Sequence, residues 1–376
     1  MLVGWLLAAI CAGCAVYCVI TVIAARHYRA QRPPAEAPQP PLSVLKPLAG
    51  AEDDLYTNLR SFFEQDYPAF EILFAVRQPE DPAVAVVQRL KAEFPRVPAE
   101  LIVTGEPPYP NAKVWSLYHM TQAARNGILV MSDSDIRVGP DFLSTVAREF
   151  ADPAVGLASC PYRAAPGRGL WTRLEAIGMN TQFLAGVLSA RLLEGMKFAL
   201  GPTIIVRKPV LAAIGGFPRL KDYLAEDFVM GKFAAEQGFG VILSSYVIEH
   251  HIGSSSLAEN FAHRLRWVRS TRRSRPAGYV GELFTMPLPW AILLVLVWPA
   301  MWPGAALLLV LRAVSAWVCA GWILEDQTTR RYWYLLPFQD LLAFGFWLAG
   351  FSGNTILWRG RRYYLRRDGT FELVSR

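Results

Sequence analysis

The 376-residue sequence is poor in charge: only 18% of its residues are Asp, Glu, Lys or Arg, against 53% hydrophobic. A soluble domain carries roughly 25% charged residues, so this chain lacks the polar side chains to cover itself in water. The same apolar excess excludes intrinsic disorder. Cysteine is scarce too, and five residues in apolar settings do not make a disulfide scaffold. Cys11 and Cys14 form a CxxC inside a hydrophobic run, where they read as helix side chains rather than a redox or metal pair. No GxGxxG follows the first expected strand and no GxxxxGK[ST] occurs, which argues against a dinucleotide oxidoreductase and a P-loop nucleotidase. Internal repeats are absent.

What is present begins with a membrane signal. Met1 to Ala25 contains no charged side chain, and about 20 such residues span a bilayer. Arg26, His27, Arg29 and Arg32 follow directly, so the positive-inside rule predicts a signal anchor with the next segment in the cytoplasm. Gln31 to Pro41 holds five prolines in eleven residues, a stiff spacer. Near the other end, Leu288–Trp302, Gly304–Ile323 and Tyr334–Leu357 read as three spans, the first two separated at Trp302-Pro303-Gly304. The tail carries Arg359, Arg361, Arg362, Arg366 and Arg367. Arg312 lies inside the middle span and is expected to face a bundle interior.

Between these blocks, Ser43–Leu45, Glu71–Val76, Leu101–Val103 and Ile128–Ser132 read as strands. Leu55–Glu64, Pro82–Phe94 and Val114–Ala124 read as the intervening helices. Such alternation predicts an α/β domain with a mainly parallel sheet, whose ligands collect at the carboxyl ends of the strands. Carboxylates stand there. The fourth strand runs into Asp133-Ser134-Asp135, a pair able to hold a hard divalent cation while substrate phosphates complete its shell. Glu80-Asp81 follows the second strand, and Glu226-Asp227 follows a Gly215-Gly216-Phe217 turn. Lys113 near a helix start is a natural neighbour of phosphate.

Taken in order, Asp81, Asp133-Ser134-Asp135, Glu226-Asp227 and His263-Arg264-Leu265-Arg266-Trp267 resemble the inverting GT-A glycosyltransferases of family 2 type. Ceramide glucosyltransferases and their bacterial lipid and hopanoid glycosyltransferase relatives are the nearest group, matched also by Val44-Leu45-Lys46-Pro47-Leu48 and by Asn58 to Pro68. His263 stands where that pattern has Gln or Arg. The resemblance implies a GT-A domain over 42–245, with interfacial helices near 171–200. Around it fall an anchor at 1–25, a linker at 26–41, HxxRW-containing juxtamembrane helices at 246–282, membrane helices at 283–358 and a basic tail at 359–376. It implies Asp227 as catalytic base, with Glu226 in support, and Asp133 and Asp135 as ligands of Mg²⁺ or Mn²⁺. Asp81, Lys113, Asp133 and Arg266 would bind a UDP-sugar donor; Trp267 and His263 would serve a membrane lipid acceptor.

The expected reaction is transfer of one sugar, glucose to ceramide, in the cell inner membrane with the catalytic domain cytoplasmic. Transfer of N-acetylglucosamine to a hopanoid tail is the alternative. A processive polysaccharide synthase ranks lower, since one anchor and three further spans are few to enclose a polymer channel. A transporter with a cytoplasmic α/β module ranks lowest, having no use for three carboxylate clusters. Six arginines in the twelve residues from Arg264 to Arg275 suggest nucleic acid at first sight. Beside a membrane block they point instead to an anionic membrane surface and a diphosphate, without nucleic acid. His250-His251 are read as loop or helix-start residues.

Overall fold

The computed structural model describes residues 1–31, 33–34, 37–52, 54–253, 256–358 and 361–374. Arg32 and Arg359, part of the charge pattern above, lie outside them. Two compact units emerge: Met1–Gln31, Arg163–Gly195 and Ser254–Asp368 form one, while Arg32–Tyr162, Met196–Gly253 and Gly369–Arg376 form the other.

The second unit is the expected α/β domain. Its strands are β1 (Leu42–Pro47), β2 (Phe70–Val76), β3 (Ala99–Val103), β4 (Ile128–Ser132), β5 (Ile136–Arg137) and β6 (Val155–Ser159). After a further strand, β7 (Tyr162–Pro166), come β8 (Thr203–Arg207), β9 (Gly240–Leu243) and β10 (Ile248–Ile252). A seven-stranded sheet runs in the order β3-β2-β1-β4-β8-β6-β9. β3, β2, β1 and β4 are mutually parallel, whereas β8 runs antiparallel to both neighbours. β1 and β4 are almost wholly buried, as strands covered on both faces must be, and that is why they read as continuous apolar runs. The apolar core under this sheet includes Leu45, Leu73, Val114, Leu129, Met131 and Ile204. β1, β2 and β4 end on one rim, and the expected elements here match the observed ones to within two residues at either end.

The first unit is helical. Leu2–Ala30 is one 29-residue helix, continuing five residues past the expected anchor through Arg26, His27 and Arg29. It packs on the helices Leu184–Glu194, Pro287–Val297 and Trp302–Trp317. Small residues make the approach close: a Cβ on Gly13 would overlap the Phe284 ring. The stretch expected to lie at the interface is a nearly continuous helix from Leu170 to Glu194, with a π-turn at Met179–Phe183; Thr21 and Ser189 hydroxyls meet at 3.3 Å.

Three expectations change at the other membrane block. The break falls at Pro299, not at Trp302-Pro303-Gly304, because Pro303 occupies a first helical turn where its missing N–H costs no bond. Among the described residues two helices, Leu2–Ala30 and Pro299–Ile323, are long and apolar enough to cross a membrane. Pro276–Thr285 and Pro287–Val297 add a pair bent by 59°, a broken span or a re-entrant loop. The third expected span is a 15-residue helix, Leu336–Gly350, about 22 Å long and short of a roughly 30 Å hydrocarbon core. A turn through Ser352-Gly353-Asn354 then leads into the strand Thr355–Trp358.

Arg312 faces the interior as expected, and its partner is Asp340. Nε donates to Oδ2 at 2.9 Å and Nη2 to Oδ1 at 2.7 Å, with both side chains buried. Removing one member of a buried pair leaves the other charge stranded at about 3–5 kcal/mol, while replacing both by apolar residues is often neutral. Arg312→Leu should therefore sharply lower thermal stability in detergent, and Arg312→Leu with Asp340→Leu should recover most of it. A double variant as unstable as the single one would contradict the pairing.

Candidate active site

Asn111 organises one side of the rim. It caps the helix Ala112–Ala123, accepting from the Val114 N–H at 3.2 Å. Its Nδ2 donates to the Tyr223 carbonyl at 2.9 Å and to Glu226 Oε2 at 3.2 Å, so a fully buried amide ties this helix to the loop before Glu226-Asp227. One residue into the helix, Lys113 extends from its first turn. Its Nζ lies 2.6 Å from Asp133 Oδ1 and 3.5 Å from Glu226 Oε1. Burial works against the ammonium, but Asp133 and Glu226 outweigh it and lift its pKa above the ordinary lysine value.

Glu226 and Asp227 begin the helix Glu226–Glu236, where a helix dipole favours negative charge. That helix seats on the backbone of Phe198 and Ala199 because Gly231 has no side chain, and Gly201 likewise leaves room for Asp227 Oδ2. Burial, then the neighbouring Glu226 charge, pushes the Asp227 carboxyl up to about 7. One cavity is lined by Lys113, Ser132, Asp133, Gly201, Glu226 and Asp227. Four residues singled out from the sequence thus share one space: Lys113, Asp133, Glu226 and Asp227.

Asp135 turns to β10. Its Oδ2 meets His250 Nε2 at 3.1 Å, while Oδ1 is buried without a hydrogen-bond partner among the described residues. Burial alone would raise this carboxyl; His250, then Lys46 and Lys113, bring it below its ordinary value. Such an orphaned hard oxygen beside Asp133 fits a divalent cation, although among the described residues no three His, Cys, Asp or Glu side chains gather to hold one. Two carboxylates would come from the chain and the remaining oxygens from a ligand.

Asp81 is held by backbone. Its carboxylate accepts from Gly50 N–H at 3.0 and 3.1 Å and from Ala83 N–H at 2.9 Å. It joins the loop after β1 to the start of the helix Ala83–Glu93.

His263, Arg266 and Trp267 belong to the helical unit, on the helix Leu257–Ser274. His263 Nδ1 lies 2.8 Å from Oε1 of the buried Glu175, whose other oxygen accepts from Asn260. The Trp267 ring is 5.0 Å from His263 and 6.3 Å from Phe183, and Arg266 lies over Trp358 at 5.9 Å. Further along, Arg272 donates to the carbonyls of Phe351 at 2.6 Å and Gly353 at 2.7 Å, and Arg269 to that of Ser352 at 3.2 Å. Much of the arginine run is therefore engaged in holding a turn.

Two residues here were not among the site residues expected from the sequence. His250 lies in a strand, not a loop or helix start, and reaches Asp135. Lys46 is fully buried, donating to the Asp133 carbonyl and to Ser132 Oγ at 3.3 Å, over the Phe62 ring at 3.9 Å. Burial pushes its amine down to about 7 against the pull of Asp133 and Asp135. A lone lysine within the apolar run Leu42–Pro47 was the available signal.

Comparison with known proteins bears on the family and the fold. Ceramide glucosyltransferase 1 of Caenorhabditis elegans is 29% identical over 232 residues, which cover 61% of this chain and 49% of the relative. Ceramide glucosyltransferase 3 of the same organism is 27% identical, covering 61% and 50%. The chain thus spans about half the length of these curated relatives. A ceramide glucosyltransferase of Gibberella zeae is 21% identical over 89% of this chain and 86% of its own length. Among solved structures, the mannosyltransferase PcManGT from Pyrobaculum calidifontis, in complex with GDP-Man and Mn²⁺, superposes with a TM-score of 0.54. It is 19% identical and covers 92% of this chain and 98% of its own, a likeness of fold. The sequence profile of glycosyl transferase family 21 matches residues 5–371, nearly the full sequence, and the chain belongs to that family.

Proposed function

We propose that the chain transfers one glucose from UDP-glucose to ceramide with inversion at the anomeric carbon. The observation that carries this reading is a cavity holding a partly buried lysine among Asp133, Glu226 and Asp227, in a member of family 21. The relatives named above, ceramide glucosyltransferases, support the choice of donor and acceptor.

Asp227 acts as the base. Its carboxylate takes the proton of the acceptor hydroxyl as that oxygen attacks the anomeric carbon, and the bond from that carbon to the UDP oxygen breaks on the opposite face. A carboxyl raised to about 7 is matched to this task near neutral pH. Lys113 meets the charge that builds on the departing diphosphate. Mg²⁺ or Mn²⁺ held by Asp133 and Asp135 would supply further positive charge there. Glu226 keeps Lys113 and Asn111 in place. Asp81 fixes the loops that receive the uridine end; Arg266 is assigned to the donor, Trp267 and His263 to the acceptor.

Asp227→Asn should lower turnover at least about a hundredfold with donor affinity retained, and Glu226→Gln should be milder. In the unsubstituted protein the rate should fall as pH drops through about 7, because protonation removes the base, and level off above it. A near-normal rate in Asp227→Asn would reject the assignment. Lipid mass spectrometry after supplying ceramide and UDP-glucose should show one added hexose, lost after exhaustive chelation and restored by Mg²⁺ or Mn²⁺. N-acetylhexosamine on a hopanoid, or a ladder of products, would replace the reading. The α/β unit is assigned to the cytoplasmic face from Arg26, His27 and Arg29 after the first helix. Protease outside sealed spheroplasts should leave it intact, and digestion would reverse the orientation.

A further inference from the structure

Among the described residues of the sheet, Lys46 is a fully buried cation that the proposed chemistry does not use. It sits on β1, next to β4 in the sheet, and none of its surface is exposed. Its three N–H groups have the Asp133 carbonyl, Ser132 Oγ and the face of Phe62 before them. On the other side of the same turn stands β8. The Asp133 N–H donates to the Pro202 carbonyl at 3.0 Å, and Thr203 Oγ1 donates to Ser132 Oγ at 3.1 Å. Neither oxygen that Lys46 meets depends on it: Ser132 Oγ keeps Thr203, and the Asp133 carbonyl also accepts from the Ile136 N–H at 3.4 Å. An apolar residue of similar length would fill the same space without the cost of burying an ammonium.

We infer that Lys46 is a positioning residue: it clamps the Asp133-Ser134-Asp135 turn from β1 against the β8 side, so that both carboxylates are aimed at a divalent cation and a nucleoside diphosphate. This rests on the proposed function. Outer-shell partners of metal ligands typically change metal affinity by about 10- to 100-fold when removed. Lys46 has that place here. It bonds backbone and hydroxyl of the turn rather than either carboxylate.

The test uses the full chain in detergent with Lys46→Met, whose unbranched side chain matches the lysine stem. Thermal unfolding is measured without ligand, and UDP binding is titrated with Mn²⁺. The expected result is a melting temperature equal to or above that of the unsubstituted protein, with Mn²⁺ needed at about 10- to 100-fold higher concentration to support UDP binding. Lys46→Arg, which keeps the charge and donors, should lie between the two in its Mn²⁺ requirement. Unchanged Mn²⁺ dependence in Lys46→Met would overturn the inference. So would a Lys46→Met chain that melts several degrees lower or fails to accumulate, since the ammonium would then be holding the sheet itself. If the unsubstituted protein shows no Mn²⁺-dependent UDP binding, the proposed function falls and this inference with it; binding there with no loss in Lys46→Met removes only the role of Lys46.

Discussion

The site depends on keeping carboxylates of like charge together in a place with little water. Two unit charges about 4 Å apart interact by roughly 4 kcal/mol at the effective dielectric of a protein surface, and by more as water is excluded. Lys113, 2.6 Å from Asp133 and 3.5 Å from Glu226, makes the gathering tolerable. Much of the α/β unit's local design follows from it. Asn111 fixes the turn of helix that carries Lys113, the dipole of Glu226–Glu236 favours its two leading carboxylates, and Gly201 and Gly231 remove side chains that would push this helix away.

Sheet order then supplies the rim. β1 and β4 are parallel neighbours, so the ends that carry Lys46 and Asp133 fall side by side although 87 residues separate them. β8, running antiparallel, brings Pro202 and Thr203 to the same turn from the other side. Asp135 meets His250, and among the described residues its other oxygen has no hydrogen-bond partner. The two carboxylates of one Asp-Ser-Asp triplet therefore face different company: an ammonium for the first, an imidazole for the second.

At Arg312, in the helical unit, charge is handled by pairing. Arg312 and Asp340 satisfy one another bidentately, the arrangement that makes a buried ion pair bearable. The arginine-rich helix answers a local need as well. Its guanidinium groups bond the carbonyls left over where Leu336–Gly350 ends, as cationic side chains near helix C-termini do. A basic run in a sequence is thus a statement of donors, and only the fold says which acceptors take them.

By itself the sequence determined what local physics governs. Short apolar runs alternating with helical stretches predicted strands of a mainly parallel sheet, a 25-residue uncharged start predicted a long apolar helix, and Asp-Ser-Asp after the fourth run was expected at a strand's carboxyl end. Tertiary structure decided whatever required partners from afar. Lys46 looked like an ordinary strand residue until β4 lay beside it, and His250 like a loop residue until β10 paired with β5, next to Asp135, 115 residues away in sequence. Hydropathy marked Tyr334–Leu357 as a span because it averages over side chains. It does not register that Gln339 and Asp340 are buried with Arg264 and Arg312 for partners, nor that the chain turns at Gly353 with φ +74°. Burial of a polar group is settled by its partner, and a partner distant in sequence leaves no trace in local composition.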